Sequence, residues 1–392
     1  MKYAHIVGWG SYWPERILTN EEIAQKVDTS HDWIYTRTGI KERRIANARE
    51  TTTHMAFRAA ARALEVAHIP PSQIDLIIVA TSTPEYVFPA AACQVQDLLG
   101  ASHAGAFDLS VACSGFIYGL SMASSAIACG SIHTALVIGA ETLSRIVDWT
   151  DRGTCILFGD GAGAVVLKGS SVPGGVLSTT LGSDGSGGEL LYLKAAGARP
   201  VPTVGVGFSP NGHHPDTISM NGREVFRFAT RVMAESVQDV LQKAEMTLAD
   251  VSLIVPHQAN ARIIEAAAKR LKVSPDLFYV NLDRAGNTST ASIPLALCEA
   301  VEAGRLKPDD NLVFVGFGGG LSWGAALIKW DVTPPQPREE SAWRRSPWYL
   351  WARSRSALRR LARKLLASLA GSPTPEARLK DAEKKRQKEE YK

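Results

Sequence analysis

Long apolar runs are missing from this sequence. No stretch approaches the roughly 18 consecutive apolar residues a bilayer-spanning helix requires. The opening residues, MKYAHIVGWGSYWP, lack the uninterrupted apolar core of a signal peptide and read as a first strand and turn. Cysteine is scarce: Cys93, Cys113, Cys129, Cys155 and Cys298 lie far apart, with no CxxC and no Cys/His metal spacing. That odd, scattered set argues for reduced thiols and against a disulfide scaffold or a zinc site. A soluble, cytoplasmic chain needing no metal or redox cofactor is expected. Basic charge is also lacking where a polyanion-binding body would carry it. Residues 336–392 hold 16 Lys and Arg against 7 Asp and Glu, which leaves 27 basic and 32 acidic residues in 1–335. The net charge of +4 therefore belongs to the tail, and no nucleic-acid partner is expected for the body.

What is present is ordinary globular material, 392 residues with 45% hydrophobic content, long enough for two half-domains or one large domain and an appendage. Strand-like and helix-like runs alternate. The Ala-rich pattern at 51–67 precedes the β-branched run IDLIIVATST (74–83); AACQVQDLLG (91–100) reads as a helix closed by Gly100. AGAFDLSV is a strand, 114–130 a buried helix and HTALVIGAE (133–141) a strand. Doubly apolar strands between helices predict a parallel-type sheet covered on both faces. A helix at 223–246, strand at 251–260, helices at 261–271 and 291–304 and strand at 310–320 repeat the plan, suggesting a duplicated α/β unit. Beyond Trp330, 331–341 is a Pro-rich linker, and Ser346-Pro347 can open a helix that Gly371 closes. In that helix Leu358, Leu361, Leu365 and Leu369 share a face, and Arg353, Arg359, Arg360, Arg363 and Lys364 supply charge. The last stretch is charged throughout, disordered or a solvated helix.

Cys113 ends the apolar run FDLSVACSGF where a strand hands over to a helix. A helix N-terminus lowers a thiol pKa and favours thiolate; a buried packing cysteine is the alternative. His257, after the apolar strand and Pro256, lies at the carboxyl edge of a sheet, where open α/β sheets place ligands; a core or capping histidine is its alternative. Asn287, in RAGNTSTAS, is a site residue or a capping asparagine. GFGGGLSWG (316–324) can supply oxyanion-binding amides or form a strand-to-strand turn. GDGAGA (159–164) precedes VVL rather than a helix, so it reads as a hairpin turn and not a phosphate loop.

VACSGF, HQAN, GNTSTASIPLAL and GFGGGLSWGAALI, in that order, closely resemble β-ketoacyl-acyl carrier protein synthase III. DWIYTRTGIKERR, FPAAACQVQ, DRGTCILFGDGAGAVVL and NGREVFRF match it too, over residues 1–330. The resemblance implies a thiolase-like α/β fold. Two similar halves, 1–172 and 173–332, would form a layered α-β-α-β-α core, with 333–392 a basic helical extension. It implies a homodimer that makes an initiating Claisen condensation between an acyl-CoA primer and malonyl-acyl carrier protein. Cys113 would carry the acyl group, His257 and Asn287 would stabilise the enolate, and amides of Cys113 and Gly319 would hold the oxyanion. By the same resemblance Trp33 and Arg152 sandwich the CoA adenine and Arg37 lies near its phosphates. Gly222, Phe226 and Asn260 contact the substrate arm. Phe88 bounds the acyl pocket across the dimer and suggests a short primer. Arg227, Arg262, Lys269 and Arg270, with Gln258, Ala259, Asn260 and Ala261, would receive the acidic carrier protein.

Three alternatives stand beside this. Hydroxymethylglutaryl-CoA synthase shares the cysteine, but where its glutamate is expected this chain has Thr83, with Glu85 two residues on. Related Cys-His-Asn enzymes of polyketide or quinolone-type metabolism differ only in pocket shape. A non-enzymatic role would have residues 342–370 lie on a membrane as a basic amphipathic helix, with packing on the body or on another protein as the competing readings.

Overall fold

Helix boundaries follow local capping. Asn260 accepts from the Arg262 amide at 2.9 Å and opens the helix Ala261–Leu271. Thr51 caps Thr52–Ala67 through the His54 amide, and Gly100, left-handed at φ 75°, ends Ala91–Leu99. A computed structural model describes residues 2–194 and 217–331, together with helical residues between 351 and 366. The linker 331–341 beyond its first residue, the ends of the C-terminal helix at Ser346-Pro347 and Gly371, and the charged stretch 377–392 lie outside the described residues.

The main strands are β1 (Tyr3–Tyr12), β2 (Leu76–Ala80), β3 (Gly105–Leu109), β4 (Thr134–Thr142), β5 (Asp160–Ser170), β6 (Gly175–Ser183), β7 (Leu253–Pro256), β8 (Asn311–Gly318) and β9 (Ser322–Lys329). The main helices are α1 (His31–Thr38), α2 (Thr52–Ala67), α3 (Ala91–Leu99), α4 (Gly115–Ala128), α5 (Gly222–Lys243), α6 (Ala261–Leu271) and α7 (Ser292–Glu302). One sheet has the order β1-β5-β4-β2-β3, the other β7-β8-β9-β6. Neither is purely parallel, a correction to the sequence reading. β3, β2 and β4 run parallel, but β5 and β1 are antiparallel additions; β7 and β8 run parallel, and β9 and β6 antiparallel. The same parallel-then-antiparallel sequence recurs in both sheets.

Helices fill three layers around them. Between the sheets lie α4 and α7, whose Phe116, Ile117, Leu120 and Leu297 pack against Ile78 and Val137 on one side and Phe314 and Ile328 on the other. Outside the first sheet, Ala59, Ala63 and Val95 of α2 and α3 meet Ile77 and Val79. Outside the second, Val232, Val237 and Ile264 of α5 and α6 meet Val313 and Val315. Successive residues of one strand thus serve opposite layers, which is why β2 and β8 read as unbroken apolar runs.

GDGAGA is not a hairpin turn: from Asp160 onward it is the start of β5. Its small residues let α7 sit close, since a Cβ at Gly163 would stand 2.7 Å from Pro294 Cβ. Cys155 lies in a run of turns before β5.

Candidate active site

Cys113 sits in a single 3-10 turn, Ala112–Ser114, that leads directly into α4. Ala112 is held at φ 43°, a costly conformation for a residue with a side chain, so the thiol stands on a strained corner. The amides of such a first turn have no intrahelical acceptors. Across from the corner runs the end of β8. A Cβ at Gly318 would lie 2.7 Å from the Cys113 nitrogen, so only glycine lets the two backbones meet this closely. Gly319 borders Ala112 instead, its hypothetical Cβ 3.7 Å from Ala112 Cβ. Ser114 and Ser322 hydroxyls, 2.6 Å apart, join the corner to β9.

His257 follows β7. Its amide donates to Val315 O at 2.8 Å, and its ring meets Phe317 edge-on at 5.2 Å, both residues of β8. Nδ1 lies 2.7 Å from Ser292 Oγ at the start of α7. The Ser292 hydroxyl has one hydrogen and a second partner, Ser289 O at 2.8 Å. Donation to Nδ1 puts the ring hydrogen on Nε2; donation to Ser289 O reverses the tautomer. Burial pushes the imidazole pKa down to about 3, so His257 is neutral at physiological pH and is a poor base.

Asn287 is braced by backbone pairing with the turn ahead of β5: its amide donates to Leu157 O at 2.8 Å and its carbonyl accepts from Gly159 at 3.0 Å. Asn287 Oδ1 accepts from the Ser289 amide at 2.8 Å. The Ser289 hydroxyl acts on both the Cys113 thiol and the Glu141 carboxyl, lowering the pKa of each. Ser289 is itself left-handed, at φ 49°. Cys113, His257 and Asn287 are therefore drawn together through Gly318, Ser292 and Ser289.

Glu141 was not singled out by sequence reasoning, and it is the hub behind this cluster. Fully buried on β4, it accepts from the Ser82 amide at 3.1 Å, Thr83 Oγ1 at 2.5 Å and Thr290 Oγ1 at 3.2 Å. Burial outweighs those donors and raises its pKa to about 7. The lone carboxylate in HTALVIGAET was the available signal, a charge inside an otherwise apolar strand. Glu85 is engaged elsewhere, on the Thr53 amide and hydroxyl at 2.9 and 2.7 Å. Arg43 was likewise missed; fully buried, it donates to Ile156 O at 2.6 Å and so fixes the segment that braces Asn287.

The expected lowering of the Cys113 pKa is not found. Burial dominates and pushes the thiol up to about 12 against the lowering effect of the Ser289 hydroxyl, with Glu141 adding to the rise. The resting site holds a thiol. Among the described residues, no three His, Cys, Asp or Glu side chains assemble as a metal site.

Some distance along the surface, Trp33 carries two guanidinium groups, Arg37 at 4.2 Å and Arg152 at 4.8 Å from its ring centroid. Asn260 Nδ2 donates to Arg37 O at 3.0 Å, tying α1 to the cap of α6. Arg262 lies 5.6 Å from the Phe226 ring, and Gly222 is the first residue of α5, the same helix as Phe226. One group thus joins Trp33, Arg37, Arg152 and Asn260, and a second joins Phe226 and Arg262.

The family models for 3-oxoacyl-[acyl-carrier-protein] synthase III match residues 107–185 and, for its C-terminal part, 241–330. A β-ketoacyl-[acyl-carrier-protein] synthase III of Caldanaerobacter subterraneus is 51% identical over 328 residues, covering 84% of this chain and 98% of its own. The chain belongs to this family. The crystal structure of the 3-oxoacyl-[acyl-carrier-protein] synthase III from Aquifex aeolicus superimposes with a TM-score of 0.77 at 47% identity, over 83% of this chain and all of its own. A priming β-ketosynthase of a polyketide biosynthetic pathway gives 0.79 at 37% identity, over 85% and 98%. The chain is thus a condensing acyltransferase with a thiolase-like fold, and the match to the family model ends at residue 330.

Within that family frame one expected docking residue needs correction. Gln258 cannot meet a carrier protein, because it is wholly buried, its Nε2 donating to Pro256 O and Tyr279 O and its Oε1 accepting from the Asn281 amide. Ala259, Asn260 and Ala261 are half-buried, and Arg227, Arg262, Lys269 and Arg270 are exposed. Two of those cations already have partners, Arg227 with Glu224 at 2.8 Å and Arg270 with Glu235 at 3.0 Å.

Proposed function

We propose that this synthase condenses a short acyl-CoA primer with malonyl-acyl carrier protein, giving 3-oxoacyl-acyl carrier protein, CoA and carbon dioxide. The observation that carries the reading is the strained Cys113 corner pressed against the glycine end of β8, with His257 and Asn287 bound into the same buried cluster. In the first half-reaction the Cys113 sulfur attacks the acyl-CoA carbonyl. The acyl–sulfur bond to CoA breaks, and the thiol proton leaves with the CoA thiolate as CoA–SH. Amides of Cys113 and Gly319 hold the oxyanion.

In the second, malonyl thioester loses carbon dioxide and its electron pair becomes an enolate. A neutral His257 stabilises that oxygen as a donor through Nε2–H, which requires Ser292 to donate to Nδ1. Asn287 serves through Nδ2, its Oδ1 being committed to Ser289. The enolate carbon attacks acyl-Cys113, the thiolate is expelled, and a solvent proton restores the thiol.

The remaining roles rest on the surface geometry. Arg152 and Trp33 open to admit the CoA adenine, with Arg37 toward its phosphates and Gly222, Phe226 and Asn260 along the pantetheine arm. Arg262 and Lys269, with Arg227 and Arg270, receive the acidic carrier protein. β3 is an outermost strand, and beside it Tyr86, Val87 and Phe88 are exposed, Phe88 to 85%. An open edge with such a loop supports a homodimer in which Phe88 bounds the partner's acyl pocket. The sheets, built from residues 3–170 and 175–329, support a division into halves 1–172 and 173–332, with 333–392 an extension.

Intact-protein mass spectrometry after incubation with a panel of acyl-CoAs tests the reading. A single short-chain adduct, absent in Cys113→Ala and discharged by malonyl-acyl carrier protein with release of carbon dioxide, is expected. No adduct with any acyl-CoA overturns the primer assignment.

A further inference from the structure

The last described residues form a helix that the family fold does not account for. Trp351, Leu358, Leu361, Leu365 and Leu366 lie on it with 55–65% of their surface exposed. At 100° per residue these five fall within one arc, which also holds Arg355, while Arg359 and Arg363 fall at its border and beyond. The first half of the helix touches the body, where Trp351, Arg355 and Arg359 line a small cleft with Gln96, Asp97, Gly100 and Ser102 at the end of α3. The Arg355 guanidinium stands 5.2 Å from the Trp351 ring centroid. None of the four leucines lines that cleft, and each has more than half of its surface exposed. Leaving four leucines in water is unfavourable, so this face is built for something else.

Charge says what that is. Between Glu340 and Glu376 the sequence has eight Lys and Arg and no Asp or Glu, with Trp343, Trp348, Tyr349 and Trp351 clustered at the front. Cations, an apolar arc and aromatic residues together suit the anionic headgroup–acyl boundary of a bilayer. Polyanionic nucleic acid would leave the leucine arc unused. A second copy of the same helix would bring like charges together over a span too short for a stable coiled coil. Among the described residues no helix is long and apolar enough to cross a membrane. The acidic balance of residues 1–335 disfavours attachment through the body.

We propose that the helix containing residues 351–366 is a membrane-surface segment that lays the Leu358, Leu361, Leu365 and Leu366 side chains into the outer part of an anionic bilayer. The contact is peripheral, reversible and weakened by salt.

The full chain is tested by co-sedimentation with phosphatidylcholine vesicles, with and without phosphatidylglycerol, alongside Leu361→Asp/Leu365→Asp. The expected result is pelleting only with the anionic vesicles, reduced at high salt, with a loss of roughly tenfold or more in the variant. Condensing activity should be the same in both proteins, which separates this question from that of the catalytic reading. Failure of the full chain to pellet with anionic vesicles overturns the proposal. Equal pelleting of the variant overturns the buried leucine arc, leaving charge alone. Binding to a duplex oligonucleotide that competes fully with vesicles, or leucine-dependent dimerisation without vesicle binding, reassigns the segment and also overturns it.

Discussion

Replacing Gly318 by alanine tests the geometry on which the proposed chemistry depends. The added Cβ would fall 2.7 Å from the Cys113 nitrogen, 3.1 Å from Cys113 Cβ and 3.3 Å from Ala112 Cβ. A carbon–nitrogen contact of ordinary length is about 3.4 Å, so β8 and the cysteine corner must part by roughly 0.7 Å. Neither side yields easily, because both belong to the sealed middle of the molecule, with Gly318 paired to Ser322 and Ser114 hydrogen-bonded to that same serine. Overpacking of this kind costs about 1–3 kcal/mol of stability. The catalytic loss should be larger in consequence. A shift approaching 1 Å between an acyl-cysteine and its oxyanion donors costs about 100-fold in rate. Gly318→Ala should therefore remain folded by circular dichroism, melt a few degrees lower, and lose about two orders of magnitude in both Cys113 acylation and condensation. Gly185→Ala is the control, since a Cβ there meets nothing within 4 Å. Wild-type acylation rates in Gly318→Ala would refute the argument that this backbone approach shapes the site.

Three further outcomes follow from the same site. Ser292→Ala removes the hydroxyl that sets the His257 tautomer, so carbon dioxide release from malonyl-acyl carrier protein should fall about tenfold, the worth of one buried hydrogen bond. Acylation of Cys113 in that variant should be unchanged by mass spectrometry, and equal loss in both steps would sink the tautomer argument. Glu141 holds its proton more tightly folded than unfolded, with a pKa of about 7 against 4.5, so its contribution to stability is full below pH 4.5 and is lost as pH rises through 7. Urea denaturation at pH 5 and pH 8 should show wild type losing about 2–3 kcal/mol relative to Glu141→Gln over that range, and parallel behaviour of the two proteins would contradict it. Trp33→Ala should raise KM for acyl-CoA about tenfold with little change in kcat, a fall in kcat instead counting against a CoA-binding role.

Much of the fold was readable from local pattern. The helix Ala261–Leu271 came out with its ends correct because Asn260 is a capping residue followed by a clean apolar stripe. Gly100 marked the end of α3 through its left-handed backbone. Short-range chemistry decides such features, and it is present in any window of the sequence. β6 and β9 were not identified as strands, and β5 was taken for a turn at its start, because glycine- and serine-rich segments give little strand signal until a neighbouring sheet edge pairs them. That pairing also makes both sheets mixed where the apolar runs alone suggested parallel ones.

By itself the sequence pointed to the residues proposed here to carry the chemistry: a cysteine at a strand-to-helix corner, a histidine after β7, an asparagine in a polar loop and a glycine run at the end of β8. Its tail composition also fixed where the excess of positive charge lies. Tertiary structure alone decided how those residues act. Burial, which no local pattern measures, leaves Cys113 a thiol although a helix start suggested otherwise, and keeps His257 neutral. It made Glu141 the anchor of the cluster and took Gln258 off the docking surface. Desolvation and long-range hydrogen bonding arise only when segments distant in the chain meet, so they become visible only once the elements have packed on one another.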